Sequence, residues 1–130
     1  MHKIVLDTNV LVSALWSKLG NPYMILEMFF KGTVVLHYNN EIIAEYSDVL
    51  HREKLAFSEE KVLTLLSEII ENGVYVDAPT SDIPFVDEDD RKIYDTAKAS
   101  NAIIVTGNKK HFPDEEFILS PAEFVESLLL

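Results

Sequence analysis

Short apolar runs and amphipathic stretches alternate along the chain, and this pattern predicts strands separated by helices. Runs rich in apolar and β-branched residues predict five strands, at residues 3–7, 33–37, 74–76, 102–105 and 117–119. Strands that alternate with helices favour right-handed βαβ units, in which helices cover both faces of a mostly parallel sheet. The sequence therefore predicts an α/β fold.

Capping residues mark the ends of the predicted helices. Asn21 and Pro22 begin one helix, with Pro22 at its first position, and Gly32 ends it. The other helices are predicted to start after Asn40 (helix 41–52), after Ser58 (to 72), in the acidic run 87–90 (to 100) and at the capping box 120–123. Apolar helical stretches also carry large side chains, which we predict to be core residues and not a base-stacking platform: Trp16, Met28, Phe29 and Phe30.

Composition bounds the class of protein. The chain has 130 residues, 48% of them hydrophobic, and no repeat divides it, so we predict a single domain spanning residues 1–130. The N-terminus reaches a charge too early for a signal peptide and no apolar run approaches a membrane span, which predicts a cytoplasmic protein without membrane contact. Zero cysteines exclude disulfides and thiolate ligands, so any metal must be bound by oxygen or imidazole.

The net charge of -11, from 22 acidic and 11 basic residues, argues against a protein that holds nucleic acid only by neutralising phosphates. This objection weakens if part of the acidic excess binds a cation, because the cation reverses the local charge. Basic residues also follow the candidate site stretches: His51, Arg52 and Lys54 after the Glu45 helix, Arg91 and Lys92 after Asp90, and Lys109, Lys110 and His111 after the fourth strand.

Carboxylates occur in three stretches that a parallel sheet can bring together. Asp7 follows the first strand, Glu45 lies within a helix, the run 87–90 opens another helix, and the polar stretch 106–108 follows the fourth strand. Ligands of such sheets gather beyond the carboxyl ends of the strands. Like charges about 4 Å apart repel by roughly 4 kcal/mol at an effective dielectric near 20, so such a cluster favours a bound divalent cation.

Each acid also has a plainer interpretation. Asp7 or Thr8 can simply cap the following helix, and acids in the run 87–90 complement a helix dipole. Glu45 belongs to a polar helical stripe that solvent alone explains equally well, together with Glu41, Asp48 and Arg52. The case for a metal site therefore rests on the combination of these stretches.

Other motifs are absent or incomplete. No His-x-x-x-His pair favours zinc, and no phosphate-binding glycine loop or Gly-x-Ser-x-Gly elbow is present. A phosphotransferase of haloacid-dehalogenase type requires Asp-x-Asp after the first strand, but Asn9 replaces the second acid.

Four motifs occur in order along residues 3–121: strand-Asp7-Thr8-Asn9, Glu45-Tyr46-x-x-Val49-Leu50-x-Arg52, Asp87-Glu88-Asp89-Asp90-Arg91-Lys92-x-Tyr94 and Ala102-Ile103-Ile104-Val105-Thr106-Gly107-Asn108-x-x-His111-Phe112. Together they resemble the PIN domain family, and more closely its toxin components of toxin–antitoxin pairs. This resemblance implies a three-layer α/β/α fold with a five-stranded sheet in the order 3-2-1-4-5. It also implies an Mg²⁺- or Mn²⁺-dependent endoribonuclease acting on single-stranded RNA, a small antitoxin partner and a homodimer.

The resemblance assigns roles by position. Asp7, Glu45 and Asp90 match the three principal acids, as catalytic residues and metal ligands, and Asn9 and Thr106 are expected to orient them. The fourth acidic position is Asn108, which leaves open whether a second metal binds and whether Asp95 or Asp114 compensates. Four residues are expected to contact substrate: Arg52, Arg91, Lys109 and Lys110. The alternative function is a catalytically silent binding module on the same fold, favoured by Asn108 and the acidic surface.

Overall fold

The structure, a computed structural model, describes residues 2–129. Its strands are β1 (His2–Leu6), β2 (Val34–Tyr38), β3 (Val74–Tyr75), β4 (Ile103–Val105) and β5 (Ile118–Leu119). They form one sheet in the order β3-β2-β1-β4-β5, and every pairing between neighbours is parallel. The predicted strand order is confirmed, and each strand begins and ends within one residue of its predicted bounds.

Helices pack against this sheet in a three-layer α/β/α arrangement. They are α1 (Thr8–Trp16), α2 (Asn21–Phe30), α3 (Asn40–Leu50), α4 (Glu59–Asn72), α5 (Arg91–Ser100) and α6 (Pro121–Ser127). The helix α5 contacts β1, β2 and β4, whereas α2 and α4 contact β2. None of the helices in the described range is both long and apolar enough to cross a membrane.

Two predicted helix starts are confirmed by their hydrogen bonds. The Ser120 hydroxyl accepts the N–H of Glu123 at 3.1 Å, and the Glu123 carboxylate accepts the N–H of Ser120 at 2.8 Å, which completes the capping box. The Ser58 hydroxyl accepts the N–H of Lys61 at 3.2 Å at the start of α4. Local sequence is sufficient for these caps because all partners lie within one helical turn.

Two other predicted starts are wrong by one residue. Asn39, and not Asn40, caps α3, because its extended backbone lets Oδ1 accept the N–H of Ile42 at 3.1 Å. Asn21 is already helical, so Pro22 occupies the second position of α2. The acidic run also begins with a separate 3₁₀ turn, Glu88–Asp90, before α5 starts.

The core prediction is correct for Phe29 and wrong for two other aromatic residues. Phe29 is buried and Met28 is half-buried, but Trp16 is 62% exposed and Phe30 is 50% exposed. Successive helical residues point about 100° apart, so Phe30 faces away from the core that its neighbour enters. Trp16 and Phe30 line a groove of about 550 Å³ bordered by α1, α2 and α4.

The register of the central strands positions the end of β1 beside the end of β4. Leu6 pairs with Val105, and the N–H of Asp7 donates to the carbonyl of Val105 at 2.9 Å. The residues that follow, Asp7 and Thr106, therefore emerge side by side at one edge of the sheet.

Candidate functional site

A cleft of about 930 Å³ opens where β1 and β4 end. Asp7, Glu45 and Asp90, the three acids singled out in the sequence, all line this cleft. They come from the end of β1, the middle of α3 and the turn before α5. The fold thus brings together side chains separated by up to 83 positions in the printed sequence.

Asp7 occupies the N-cap position of α1, but its side chain makes no capping hydrogen bond. Its Oδ2 instead accepts a 2.7 Å hydrogen bond from the hydroxyl group of Thr106. Asp7 is buried, and this burial raises the pKa of its carboxyl group, while the Thr106 hydrogen bond opposes the shift. A nearby cation would stabilise the charged form of this residue.

Asp90 ends the 3₁₀ turn and is 8% exposed. Within residues 2–129, its buried Oδ2 has no hydrogen-bond partner. The imidazole of His111 lies beside this atom, with its Nδ1 3.5 Å away. Burial, with the charges of Asp7 and Asp87, raises the pKa of Asp90 to about 6. This oxygen is therefore an acceptor that the protein itself leaves unsatisfied.

Glu45 differs from the other two acids because both of its oxygens have partners. Oε1 lies 2.7 Å from the ammonium group of Lys92, and Oε2 accepts a hydrogen bond from the Thr8 hydroxyl. The polar stripe on α3 forms one wall of the cleft, with Glu41, Asp48 and Arg52. Solvent exposure alone does not explain Glu45, whose side chain is only 20% exposed.

Polar groups after β4 complete the cleft. The Thr106 hydroxyl oxygen accepts the N–H of Asn108 at 3.0 Å, and Nδ2 of Asn108 lies 3.0 Å from Nε2 of His111. Asn9, which is exposed, accepts the N–H of Gly107 through Oδ1 at 3.5 Å. Thr106 therefore contacts an acid directly, whereas Asn9 fixes the turn beside it.

Several predicted site residues lie elsewhere. Asp95 does not line the cleft, because its Oδ2 accepts the N–H of Ser81 at 2.9 Å in a separate pocket. Arg91 donates to Ser81 and to Glu88, and Lys109 pairs with Glu123 at 3.0 Å. The remaining two, Lys110 and Asp114, are exposed and also lie outside the cleft lining. Of the expected substrate contacts, Arg52 alone lines the cleft.

Sequence reasoning did not assign a site role to Lys92, His111 or Tyr46. Lys92 and His111 both line the cleft and lie against acids. Tyr46 is buried, and its hydroxyl donates a 2.5 Å hydrogen bond to the carbonyl of Leu6, directly before Asp7. Two of these residues lie next to predicted acids in the sequence, which is the signal that could have identified them: Lys92 follows Asp90 by two residues, and Tyr46 directly follows Glu45.

The donor set fits a hard cation held by few protein ligands. No three His, Cys, Asp or Glu side chains in the described part of the chain form a complete metal-binding group. However, the unpartnered Oδ2 of Asp90 and the desolvated carboxylate of Asp7 are oxygen donors that a cation would stabilise. Mg²⁺ and Mn²⁺ keep several waters and bind through one or two carboxylates, which suits this pair.

Comparison with known proteins agrees with this geometry. The sequence matches the model of the PIN domain family over residues 3–110. The chain belongs to the PIN domain family. This PIN domain is similar to an uncharacterized protein of Methanocaldococcus jannaschii, with 34% identity over 110 residues that cover 82% of this chain and 71% of that protein.

A solved structure shares the fold of this PIN domain. It is VapBC2 from Rickettsia felis bound to a DNA fragment from its promoter, and the match has a TM-score of 0.59 and 21% sequence identity. The alignment covers 91% of this chain and 97% of the other. At that identity, the likeness concerns the fold of the PIN domain and carries no residue roles.

Proposed function

We propose that this PIN domain is a metal-dependent ribonuclease, with Mg²⁺ or Mn²⁺ as its cofactor. The observation that carries the proposal is the buried Oδ2 of Asp90, which has no hydrogen-bond partner among residues 2–129. An unsatisfied buried carboxylate oxygen is costly, and a divalent cation bound by Asp90 and Asp7 removes that cost. Membership of the PIN family supports a nuclease over other metal-dependent hydrolases.

The proposed reaction is hydrolysis of phosphodiester bonds within single-stranded RNA. A cation held in the cleft would acidify a water molecule and stabilise charge on the phosphoryl oxygens. The water oxygen joins phosphorus, the bond from phosphorus to the leaving nucleotide oxygen breaks, and a proton ends on that oxygen. Asp7, Glu45 and Asp90 are proposed to hold the ion directly or through water, with Thr106 and Asn9 orienting the acids.

Substrate would enter along the α3 wall of the cleft. The Arg52 side chain is 53% exposed and lies 4.0 Å from Asp48, so its guanidinium can exchange this weak ion pair for a phosphate. The net charge of -11 means that binding depends on such local cations and on the metal, not on the overall field. We therefore expect weak RNA binding when the metal is removed.

We further propose that the chain is the toxin of a toxin–antitoxin pair. The sequence motifs and the structural likeness to VapBC2 support a small protein partner. The exposed aromatic side chains of Trp16 and Phe30 supply an apolar surface of the kind that protein partners cover. Co-expression with the small protein encoded by the adjacent gene would test this pairing, and size-exclusion chromatography would test the homodimer.

A silent binding module is the second candidate. The neutral side chain of Asn108 and the ion pair between Glu45 and Lys92 favour it, because both lower the negative charge available to a metal. A silent module would bind RNA or a protein partner without metal-dependent cleavage.

Cleavage of a labelled single-stranded RNA by the purified protein separates the two candidates. We expect cleavage with Mn²⁺ or Mg²⁺, none with EDTA and none by Asp7→Asn, which keeps the side-chain shape but removes the charge. Asp77→Asn removes an exposed carboxylate outside the cleft and should cleave like wild type. Equal cleavage by Asp7→Asn would identify a contaminant, and RNA binding without cleavage would favour the silent module. A DNA strand of the same sequence tests the preference for RNA.

A further inference from the structure

The ammonium group of Lys92 lies inside the acidic cleft. Its Nζ is 2.7 Å from Oε1 of Glu45 and 3.8 Å from Oδ1 of Asp89, and it donates to the carbonyl of Asp89 at 2.9 Å. The Lys92 side chain is only 15% exposed. A lysine side chain is rarely buried to this extent unless its ammonium group is paired with acidic or polar groups.

The three proposed metal ligands and Lys92, taken together, match the charge of one divalent cation. When ionised, Asp7, Glu45 and Asp90 carry three negative charges, and Lys92 neutralises one of them. A single Mg²⁺ or Mn²⁺ balances the two that remain. For this group of four side chains a second divalent ion would leave excess positive charge, and Asn108 supplies no carboxylate to hold it.

A phosphodiester cleavage site nevertheless gains from two positive centres. Negative charge grows on the phosphoryl oxygens in the transition state, and sites with two metals stabilise it from both sides. An ammonium group fixed next to the metal ligands can serve the same purpose, since a preformed positive charge in a partly dry cleft needs little rearrangement.

We propose that Lys92 is a catalytic residue that takes the place of a second metal ion, with its ammonium contacting a nonbridging oxygen of the scissile phosphodiester. This inference rests on the proposed ribonuclease function. The contact is electrostatic, so no covalent bond to Lys92 forms or breaks and no proton leaves its ammonium group. The flexible four-carbon stem lets Nζ turn from Glu45 toward the phosphate.

The other basic residues considered for substrate binding are less suited to this contact. Arg91 donates to Glu88 and Ser81 outside the cleft. Lys109 pairs with Glu123, and Arg52 lies beside Asp48. Lys92, in contrast, contacts one of the proposed catalytic acids.

Mn²⁺ binding and RNA cleavage by Lys92→Met test this role. Electron paramagnetic resonance should count one Mn²⁺ per wild-type chain. In Lys92→Met we expect kcat at saturating Mn²⁺ to fall about 10²-fold, as when one charge-stabilising donor is removed. The Mn²⁺ dissociation constant should fall roughly tenfold, because a neighbouring positive charge is gone. A lysine that only supports the fold would weaken metal binding and activity together.

Two further variants serve as controls. Lys98→Met removes the same charge from the same helix, where Nζ lies 3.7 Å from Glu115 outside the cleft, and should keep wild-type kcat and Mn²⁺ affinity. Lys92→Arg keeps the positive charge and should retain kcat within roughly tenfold of wild type. Thermal melts establish that each variant is folded.

Three results would overturn the role of Lys92: two Mn²⁺ ions per wild-type chain, wild-type kcat in Lys92→Met, or weakened Mn²⁺ binding in that variant. If Lys92→Met does not fold, the wild-type stoichiometry and the kcat of Lys92→Arg decide the matter. Mn²⁺ binding by wild type without RNA cleavage would defeat the proposed function, and the role of Lys92 would fall with it. Cleavage by wild type combined with any of the three results defeats the role of Lys92 alone.

Discussion

The Thr106 hydroxyl donates a 2.7 Å hydrogen bond to Oδ2 of Asp7 and so joins the end of β4 to the end of β1. The same oxygen accepts the N–H of Asn108 at 3.0 Å. Thr106 is fully buried, so neither bond competes with bulk water. One side chain thus fixes both the orientation of an acid and the turn that follows β4.

Thr106→Val should remove the hydrogen bonds to the Asp7 carboxylate and to the N–H of Asn108 without changing the side-chain shape. We expect the Mn²⁺ dissociation constant to rise about 10- to 100-fold, as for other residues that orient metal ligands. The free energy of unfolding should fall by about 1–3 kcal/mol, because the N–H of Asn108 loses its acceptor. Mn²⁺ titration and urea unfolding measure these effects. Thr106→Ser keeps the hydroxyl and should stay near wild type, whereas tight Mn²⁺ binding by Thr106→Val would contradict the prediction.

Asp90 should make the metal-free protein less stable as pH rises. The pKa of Asp90 is raised from 3.8 to about 6 in the folded state, so folding favours its protonated form. The stability that this proton contributes is complete below pH 3.8 and is lost as pH rises through about 6. Relative to Asp90→Asn, wild type in EDTA should therefore lose free energy of unfolding across this interval.

Urea unfolding of both proteins at pH 4, 5, 6 and 7 measures this difference. Asp77→Asn, which removes an exposed carboxylate, controls for the general effect of losing one acid. A difference between wild type and Asp90→Asn that stays constant with pH would show that Asp90 is not desolvated. Added Mn²⁺ should remove the loss of wild-type stability near pH 7, since the ion stabilises the charged carboxylate.

Tyr46→Phe should disturb the site as well as the fold. The Tyr46 hydroxyl donates to the carbonyl of Leu6 at 2.5 Å and so connects α3, beside Glu45, to the residue before Asp7. Its loss leaves a buried carbonyl without this donor, and we expect a destabilisation of about 1–2 kcal/mol. We also expect weaker Mn²⁺ binding, because the hydrogen bond that holds Glu45 and Asp7 in fixed relative positions is lost.

Tyr38→Phe is the matched comparison. The Tyr38 hydroxyl donates to the carbonyl of Ile70 at 3.0 Å, and the residue does not line the cleft. It should lose a similar free energy of unfolding while keeping wild-type Mn²⁺ affinity. Equal Mn²⁺ affinities in both variants would mean that Tyr46 supports only the fold.

Asn108→Asp should place a carboxylate at the fourth acidic position, which also lines the cleft. We expect tighter Mn²⁺ binding and a stoichiometry that rises from one ion toward two, measured by electron paramagnetic resonance. Asp95→Asn should leave Mn²⁺ affinity unchanged, because Asp95 accepts the N–H of Ser81 outside the cleft. The prediction fails if Asn108→Asp leaves Mn²⁺ affinity unchanged, because residue 108 then does not contribute to a metal site. It also fails if Asp95→Asn weakens Mn²⁺ binding, because Asp95 then does contribute.

Much of the fold follows from local sequence. Apolar runs and capping residues predict the five strands within one residue, since period and caps depend on near neighbours. The strand order came from the family resemblance, because pairing partners far apart in sequence leave no local signal. Trp16 and Phe30 show the same limit: their apolar character is visible in the sequence, but whether another element covers them is not.

Some contacts of the candidate site are likewise predictable from the sequence, whereas others are not. The meeting of Asp7 with Thr106 is predictable, because the carboxyl ends of neighbouring parallel strands share one edge. Asp95 lies five residues after Asp90, which on a helix turns it about 140° away from that acid. The partners of Lys92 and Tyr46 depend on how α5 and α3 pack, and no spacing along the chain encodes those distances.

The bond between Thr106 and Asp7 spans 99 positions of the chain. A growing polypeptide that has been translated only through α5 already contains the three acids, but it lacks β4 and the hydroxyl group that orients the first of them. The side chain of Asp7 can therefore take its oriented position only after β4 has emerged and paired with β1, so this site is completed late in the synthesis of the chain.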